Sequence, residues 1–219
     1  MKFTRDEIRS AMLLYAVTDR TWLKGRTLPE VTEEVLKHGA TFLQVREKGM
    51  DHAAFLAEAE RLKEQAGRYH GPFVVTDSIE VALECDADGV HVGQSDIVGK
   101  DVRALIGSDK ILGISANTVE TAVAAEKAGA DYIGVGAVFG TTTKQDAKSL
   151  TLDALRAICD AVTIPVVAIG GISADNLLQL QGSGVDGVAV VSAIFAQEDP
   201  GAATEHLRAL AEKLVASHG

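Results

Sequence analysis

Short aliphatic runs alternate with longer amphipathic segments along the whole chain. The aliphatic runs are rich in Val, Ile, Leu and Ala, which is typical of parallel strands buried on both faces. The intervening segments have helical spacing, as in Pro29–His38, Ala53–Arg68, Val119–Ala128 and Leu152–Ala161. The predicted strands are Leu13–Thr18, Phe42–Arg46, Phe73–Thr76, Gly89–Val92, Lys110–Ile114, Tyr132–Gly136, Val166–Ile169 and Gly187–Val191.

This alternation of strands and helices predicts an α/β fold with a parallel sheet. Complete strand–helix units favour closure into a (β/α)8 TIM barrel over an open doubly wound sheet. The first strand is not followed by a GxGxxG sequence, which further weakens a dinucleotide-binding interpretation. The length of 219 residues fits one barrel, so we predict a single domain over residues 1–219.

A weak internal repeat supports this fold. Ala87–Val92, Ala130–Val135 and Val185–Val190 each contain a small or apolar residue, then Asp, then the start of an aliphatic strand. Repeated strand–helix units would produce such a pattern. The long irregular stretch Ala137–Leu150 is rich in Gly, Thr and Lys, and a loop of this length in a compact domain is usually functional.

The net charge of −10 argues against nucleic acid and anionic membranes as partners. Anionic small molecules would then be met by a few locally placed cations and backbone N–H groups. Cys85 and Cys159 are far apart and fit reduced thiols better than a disulfide or a metal site. The N-terminus lacks the pattern of a signal peptide, and the apolar runs are too short to span a bilayer. We therefore expect a cytoplasmic protein, with homo-oligomer formation left open.

In a barrel of this kind the active site lies at the carboxyl ends of the strands. The second strand ends with Gln44, Arg46 and Lys48, which period two places on one side. These residues favour an anion site, because Arg binds oxyanions in a bidentate manner and Lys supplies a mobile charge. The alternative is a solvated strand end with a salt bridge to Glu47.

Two carboxylates follow neighbouring strands, Asp77 after the third and Asp96 after the fourth. A hard cation such as Mg²⁺ prefers such oxygen ligands and shares its shell with substrate phosphates. The alternative is that either Asp caps a helix, as Asp77 could before Ile79–Leu83. His91, within the fourth strand, is more typical of a hydrogen-bonded core residue than of a catalytic one.

The remaining strand ends also carry candidate groups. Ser115 could donate to a phosphate or a ring nitrogen, and the segment Phe139–Lys144 suits oxyanion binding. Gly170 and Gly171 allow close backbone approach after the seventh strand, and barrels often bind phosphate there and after the eighth. The pattern therefore predicts two anion sites, for two small phosphorylated substrates.

Several segments, taken together and in order, resemble the thiamine-phosphate synthase family. They cover nearly the whole chain, and their combination is specific although no single segment is. They are Leu14–Asp19 (LYAVTD), Gln44–Lys48 (QVREK), Asp88–Asp96 (DGVHVGQSD), Leu112–Thr118 (LGISANT), Tyr132–Lys144 with its GTTTK ending, Val167–Ile172 and Gly187–Phe195.

The resemblance implies a transferase that joins a pyrimidine methyl diphosphate to a thiazole phosphate and releases pyrophosphate. It implies that Mg²⁺ is the cofactor, bound by Asp77 and Asp96, and that Arg46, Lys48, Ser115 and Lys144 take part in catalysis. The substrate-binding positions that it implies are Gln44, Val45, Arg46, Glu47, Lys48, Thr76, Ser115, Thr141, Thr142, Thr143, Lys144, Gly171, Val191 and Ser192.

The chain departs from the family pattern at two positions. Thr76 precedes Asp77 where relatives usually have Asn, and Asn117 stands where relatives often have His. The alternatives to a synthase are a thiazole tautomerase on the same scaffold, another phosphate-binding barrel isomerase, and a non-catalytic sensor that kept the pocket. The tautomerase would need no diphosphate clamp and would be expected to have a proton-transferring His at position 117.

Overall fold

The computed structural model describes residues 2–95, 100–140 and 150–216. Eight parallel strands form a closed barrel in sequence order, with the last strand paired to the first. The strands are β1 Leu14–Val17, β2 Phe42–Val45, β3 Phe73–Thr76, β4 Gly89–Val92, β5 Ile111–Ala116, β6 Tyr132–Val135, β7 Val166–Ile169 and β8 Gly187–Val190. The predicted barrel is therefore confirmed.

Helices connect the strands and form the outer layer. Two 3-10 segments, Arg20–Trp22 and Leu177–Leu180, lie after β1 and β7. The helices are α1 Arg5–Ala11, α2 Leu28–Lys37, α3 His52–Arg68, α4 Ile79–Glu84, α5 Val102–Ile106, α6 Val119–Lys127, α7 Leu152–Ala161, α8 Ser192–Phe195 and α9 Pro200–Ala216. In the parts of the chain that the structure covers, we find no helix with the length and apolar character needed to cross a bilayer.

The predicted strands match the observed ones to within one or two residues, and the largest difference is in β5. The sequence predicts that this strand ends at Ile114, whereas it continues to Ala116. Ser115 and Ala116 pair with Gly134 and Val135 of β6. Ser115 is therefore a strand residue and not part of the loop that follows.

Two apolar clusters make up the core. The larger one fills the space between strands and helices, and the smaller one fills the barrel interior around Tyr15, Phe42 and Tyr132. Helix α1 covers the amino-terminal end of the barrel and adds Ile8 to the inner cluster. This helix is not among the predicted elements, although Thr4 and Glu7 form a capping box at its start.

Three residues explain the internal repeat. They are Asp88, Asp131 and Asp186, and we call them the strand-start aspartates. Each precedes an even-numbered strand and accepts a hydrogen bond from a backbone N–H at or next to the start of the preceding strand. The donors are the amides of Phe73, Leu112 and Val166, at 2.9, 2.8 and 2.8 Å respectively.

A basic side chain also pairs with each strand-start aspartate. Lys2 bonds to Asp88 at 2.9 Å, Arg103 to Asp131 at 2.6 Å, and Arg9 to Asp186 at 2.6 Å. Before β2 the same place is taken by Thr41, whose hydroxyl accepts from the Leu14 amide at 2.9 Å. The pairs β1–β2, β3–β4, β5–β6 and β7–β8 are thus each held together by a side chain at the amino-terminal end of the barrel.

Candidate active site

We call the carboxyl ends of the strands the barrel mouth, and the exit of β2 contributes three predicted residues there. The Gln44 amide is only 5% exposed, and its Nε2 donates to the Thr76 hydroxyl at 2.8 Å. The Arg46 guanidinium lies 3.9 Å from the Asp19 carboxylate. Lys48 is exposed and makes no ion pair or hydrogen bond with any residue that the structure covers. Two cations and an amide therefore meet at one strand end.

The intervening residues of this segment point away from the mouth. Val45 is fully buried in the outer cluster, so its side chain cannot reach a ligand at the mouth. Glu47 bonds to Arg20 at 2.6 Å, and the same guanidinium bonds to Glu58 at 2.8 Å. Burial raises the pKa of Glu47, and the hydrogen bond from Arg20 opposes that shift. Substrate binding at Val45 and Glu47 therefore stays a prediction, and in this arrangement their side chains pack against or pair with other parts of the protein.

The same contacts decide the alternative interpretation of this strand end. A salt bridge from Glu47 to Arg46 or Lys48 would have left no cation for a ligand. Glu47 instead pairs with Arg20, which follows β1 and lies 27 positions earlier in the chain. Arg46 and Lys48 are therefore not neutralised by the acid between them.

Asp77 follows β3 in a left-handed backbone conformation, with φ of 62°. This conformation is uncommon outside glycine, although Asp tolerates it better than most residues. The Asp77 amide donates to the His91 carbonyl of β4 at 2.9 Å. The N-cap of α4 is Ser78, whose hydroxyl accepts from the Val81 amide, so the capping alternative for Asp77 is wrong. The Asp77 side chain is exposed at the mouth, where β3 ends.

A chain of hydrogen bonds runs through the barrel interior to the mouth. The hydroxyls of Tyr15 and Tyr132 lie 2.7 Å apart, and the Tyr132 hydroxyl lies 2.9 Å from His91 Nδ1. His91 Nε2 lies 3.0 Å from the Ser115 hydroxyl. Burial holds the pKa of both tyrosines above the ordinary value, so both are protonated at neutral pH. His91 is hydrogen bonded within the barrel, as predicted.

The sequence suggested that the glycines after β7 allow a ligand to approach the backbone. In the structure they also make room for another segment of the protein. Gly170 and Gly171 have φ of 102° and 68°. A side chain at Gly170 would lie 2.6 Å from Ala137 Cβ, and one at Gly171 would lie 2.5 Å from the Gly140 carbonyl. The close approach that these glycines permit is thus made by the segment after β6, and not only by a ligand.

Two amide groups remain available at this side of the mouth. In the described ranges, the N–H groups of Gly171 and Ser192 donate to no other residue. The Asn176 side-chain amide fixes the loop after β7, because Nδ2 donates to the Gly171 carbonyl and Oδ1 accepts from the Ser173 amide, both at 2.8 Å. Val191, which precedes α8, is partly buried against the inner cluster.

Five predicted site residues lie outside the described ranges. They are Asp96, Thr141, Thr142, Thr143 and Lys144. Two described residues next to these segments are held by hydrogen bonds. Gln94 is held near the mouth by a 2.6 Å bond from Nε2 to the Ser115 carbonyl, and the Phe139 amide donates to the Gly170 carbonyl at 3.0 Å.

Several residues that support the site were not found from the sequence. The Thr18 hydroxyl is fully buried and accepts from the Arg46 amide at 3.0 Å. Asp19 faces the Arg46 guanidinium and Arg20 holds Glu47. The signals for them were the polar ending of an otherwise aliphatic first strand and, for Thr18 and Asp19, their place in the segment Leu14–Asp19 that resembles the family. Tyr132 gave no signal, because an aromatic residue in a strand is usually an apolar core residue.

A second group of potential metal ligands lies on the outer helices. His52 of α3 faces Glu80 and Glu84 of α4, and His52 Nε2 lies 2.9 Å from Glu84. This hydrogen bond raises the pKa of His52. All three side chains are exposed on the outer layer, so we interpret the group as a surface ion pair.

Comparison with known proteins agrees with this geometry. The family model for thiamine monophosphate synthase matches residues 14–194. A thiamine-phosphate synthase of Clostridium tetani is 46% identical over 89% of this chain and 93% of that protein, and one of Ruminiclostridium cellulolyticum is 48% identical over 89% and 92%. A solved structure of thiamine phosphate pyrophosphorylase from Pyrococcus furiosus is 39% identical, covers 95% of this chain and 99% of its own, and superimposes with a TM-score of 0.87. The chain therefore belongs to the thiamine monophosphate synthase family and is an enzyme of the transferase class.

Proposed function

We propose that this enzyme condenses 4-amino-2-methyl-5-(diphosphooxymethyl)pyrimidine with 4-methyl-5-(2-phosphooxyethyl)thiazole to give thiamine phosphate and pyrophosphate. The observation that carries the proposal is the arrangement at the ends of β2 and β3. In a chain with a net charge of −10, Arg46 and Lys48 lie at the mouth beside an exposed carboxylate on the next strand. Cations together with a carboxylate suit a metal-bound diphosphate.

The pyrimidine diphosphate is assigned to the β2 side of the mouth. Arg46 and Lys48 contact its diphosphate, and Lys144 adds a third cation from the loop after β6. Gln44 is nearly buried and held by Thr76, so it presents a fixed amide group to the ring. Thr76 contacts the substrate directly and also holds Gln44 in position. A hydroxyl can therefore stand at this position, where relatives usually have an amide. Ser115 completes the set from β5.

Asp77 and Asp96 are the residues that would hold Mg²⁺. The fit rests on Asp77, whose carboxylate is exposed at the mouth and is not used as a helix cap. Its backbone is fixed to β4, the strand that leads to Asp96. When bound, the ion supplies positive charge to the diphosphate oxygens.

The chemistry assigned to the protein is positioning and charge stabilisation. The bond between the methylene carbon and the diphosphate oxygen breaks, and its electron pair leaves with the diphosphate. Arg46, Lys48 and Lys144 stabilise the charge that grows on the leaving oxygens. The lone pair of the thiazole nitrogen then forms the new carbon–nitrogen bond. No protein nucleophile is needed, and the part assigned to the protein is to position the two reactants and to exclude water from the cationic pyrimidine.

The thiazole phosphate is assigned to the other side of the mouth. The unused amides of Gly171 and Ser192 are suitable donors to a phosphate oxygen. Thr141, Thr142 and Thr143 would add hydroxyls from the loop after β6, and Val191 would pack against the ligand. This separation of two anions places the thiazole nitrogen and the pyrimidine methylene between them.

A steady-state assay of pyrophosphate release tests the proposal. Release should require both substrates and Mg²⁺, and EDTA should abolish it. Each substrate alone serves as a control for simple hydrolysis. If the protein instead isomerised a thiazole phosphate without releasing pyrophosphate, the tautomerase alternative would replace the synthase. If it bound the ligands without turnover, it would be a sensor.

A further inference from the structure

The barrel interior is built around the hydrogen-bonded chain that ends at Ser115. A side chain at Gly113 would lie 2.2 Å from Tyr132 Cζ, and one at Gly134 would lie 3.2 Å from His91 Cε1. These two glycines therefore leave the space that the Tyr132 and His91 rings occupy. Tyr15 and Tyr132 are 1% and 0% exposed, so water does not supply partners for their hydroxyls from bulk solvent.

The number of hydroxyl hydrogens fixes the direction of this chain. Among the residues that the structure covers, the Tyr15 hydroxyl has one hydrogen-bond partner, which is Tyr132. If Tyr132 donated to Tyr15, the Tyr15 hydrogen would be buried without an acceptor, which is costly. Tyr15 therefore donates to Tyr132, and Tyr132 donates to His91 Nδ1. An imidazole nitrogen that accepts a hydrogen bond carries no proton.

The consequence reaches the mouth of the barrel. With Nδ1 as an acceptor, the proton of the imidazole is on Nε2, which then donates to the Ser115 oxygen. The Ser115 hydrogen cannot point back to the ring, so it is directed elsewhere. We propose that Tyr132 is a positioning residue that fixes the Nε2–H tautomer of His91 and so makes Ser115 a hydrogen-bond donor to the diphosphate of the substrate. This role of Ser115 rests on the proposed function.

The two tyrosines provide a matched pair of variants. Tyr132→Phe removes the donor to Nδ1, so that either tautomer of His91 becomes available. Tyr15→Phe removes a hydroxyl from the same buried contact but keeps the direction, because Tyr132 would still bury its hydrogen if it did not donate to His91. Loss of a buried hydroxyl is common to both variants, and loss of the tautomer is expected only in Tyr132→Phe.

A kinetic cycle with Ser115→Ala separates positioning from a general structural effect. We expect Tyr132→Phe to lower kcat/KM by about tenfold, the effect of one hydrogen bond to a charged group. In the Ser115→Ala background, the same change should alter kcat/KM by less than about twofold. Tyr15→Phe should cost less than about threefold in either background. Equal losses in both backgrounds, or equal losses for the two tyrosines, would overturn the proposal.

Nitrogen-15 NMR of the imidazole groups tests the tautomer without substrates. The His91 signals are assigned by their absence in His91→Gln. The wild-type protein should show a protonated Nε2 and an unprotonated Nδ1, Tyr15→Phe should keep this pattern, and Tyr132→Phe should lose it. A protonated Nδ1 in the wild type would refute the proposal, even if a variant does not fold. If pyrophosphate release fails while this tautomer is found, the proposed function is wrong and the hydrogen-bond direction stands.

Discussion

Charged side chains are paired at the amino-terminal end of the barrel and incompletely paired at the mouth. At the amino-terminal end, the strand-start aspartates each bond to a backbone amide and to a basic side chain. At the mouth, among the residues that the structure covers, Lys48 has no partner, and the acid that faces Arg46 is Asp19, at 3.9 Å. Paired charges at one end serve stability, and incompletely paired charges at the other are available to a ligand.

This difference also shows why the presence of a cleft alone does not identify the site. A large open cleft lies at the amino-terminal end, lined by residues of α1 and by the loops before β2 and β3, and it contains Lys37 and Arg208. Arg208, however, donates to the Gly39 carbonyl and pairs with Glu212, so it supports the fold. The site is better recognised by polar groups that lack a structural role.

The largest expected effect is the loss of activity in Arg46→Ala. The guanidinium is assigned to the leaving diphosphate, so removing it should lower kcat/KM by about 10²- to 10³-fold. Thermal unfolding should change little, because the contact with Asp19 is long. Arg68→Ala is the matched control, since it removes an exposed cation paired with Glu33 far from the mouth. Near-normal turnover in Arg46→Ala would refute the assignment.

The reverse result is expected for Asp186→Ala at the other end. This change leaves the Val166 amide without its acceptor and removes one of the two acceptors of the Arg9 guanidinium, which keeps the Thr163 carbonyl. It should lower the free energy of unfolding by about 2–3 kcal/mol. Turnover at low temperature should stay close to normal. Asp186→Asn keeps an acceptor for the amide and should cost less. Urea unfolding measures both variants, and a loss of activity without a loss of stability would contradict the division between the two ends.

The inner core between the ends should respond to alkaline pH. Burial raises the folded-state pKa of Tyr15 and Tyr132 above their ordinary value of 10.0. Above about pH 10 the unfolded chain loses these protons first, so it binds fewer protons than the folded chain and stability falls as pH rises. Each tyrosine contributes a slope of about 1.4 kcal/mol per pH unit in that range.

Urea unfolding between pH 9 and pH 11 measures this slope, and Tyr15→Phe supplies the comparison. The variant should be less stable at pH 9 because it lacks a buried hydrogen bond, but its stability should fall less steeply with pH. Identical slopes in the variant and the wild type would show that Tyr15 ionises equally in both states.

The smallest effect is expected for Lys2→Ala. Lys2 is 62% exposed, and the Asp88 carboxylate keeps its bond to the Phe73 amide when Lys2 is removed. The free energy of unfolding should fall by less than about 1 kcal/mol, and added salt should reduce the difference further. A loss as large as that of Asp186→Ala would show that the ion pair matters more than the amide contact.

Much of the fold could be predicted because a strand that is buried on both faces appears in the sequence as a continuous aliphatic run. The strands β3, β4 and β7 agree with the prediction at both ends. Helix α1 was missed because it has seven residues and one buried position, Ile8, which is too short for a helical period to show. The end of β5 was misplaced because Ser115 is a polar residue whose hydrogen-bond partner, His91, lies in the neighbouring strand β4.

Part of the site could be predicted from the sequence. The contacts that could not be predicted join residues that are far apart in the chain. Period two predicts Gln44, Arg46 and Lys48 on one side from local geometry alone, but it applies only as far as the strand continues, and β2 ends at Val45. The partner of Glu47 could not be found in this way, because Arg20 approaches from another strand end. The contact between Tyr15 and Tyr132 joins residues 117 positions apart, so only the closed barrel reveals it.

A crystal soaked with pyrophosphate and Mg²⁺ tests the central claim most directly. We expect density for the anion within hydrogen-bond distance of Arg46 and Lys48, with the metal ion against Asp77. Anion density in the amino-terminal cleft near Arg208, with none at the mouth, would contradict it.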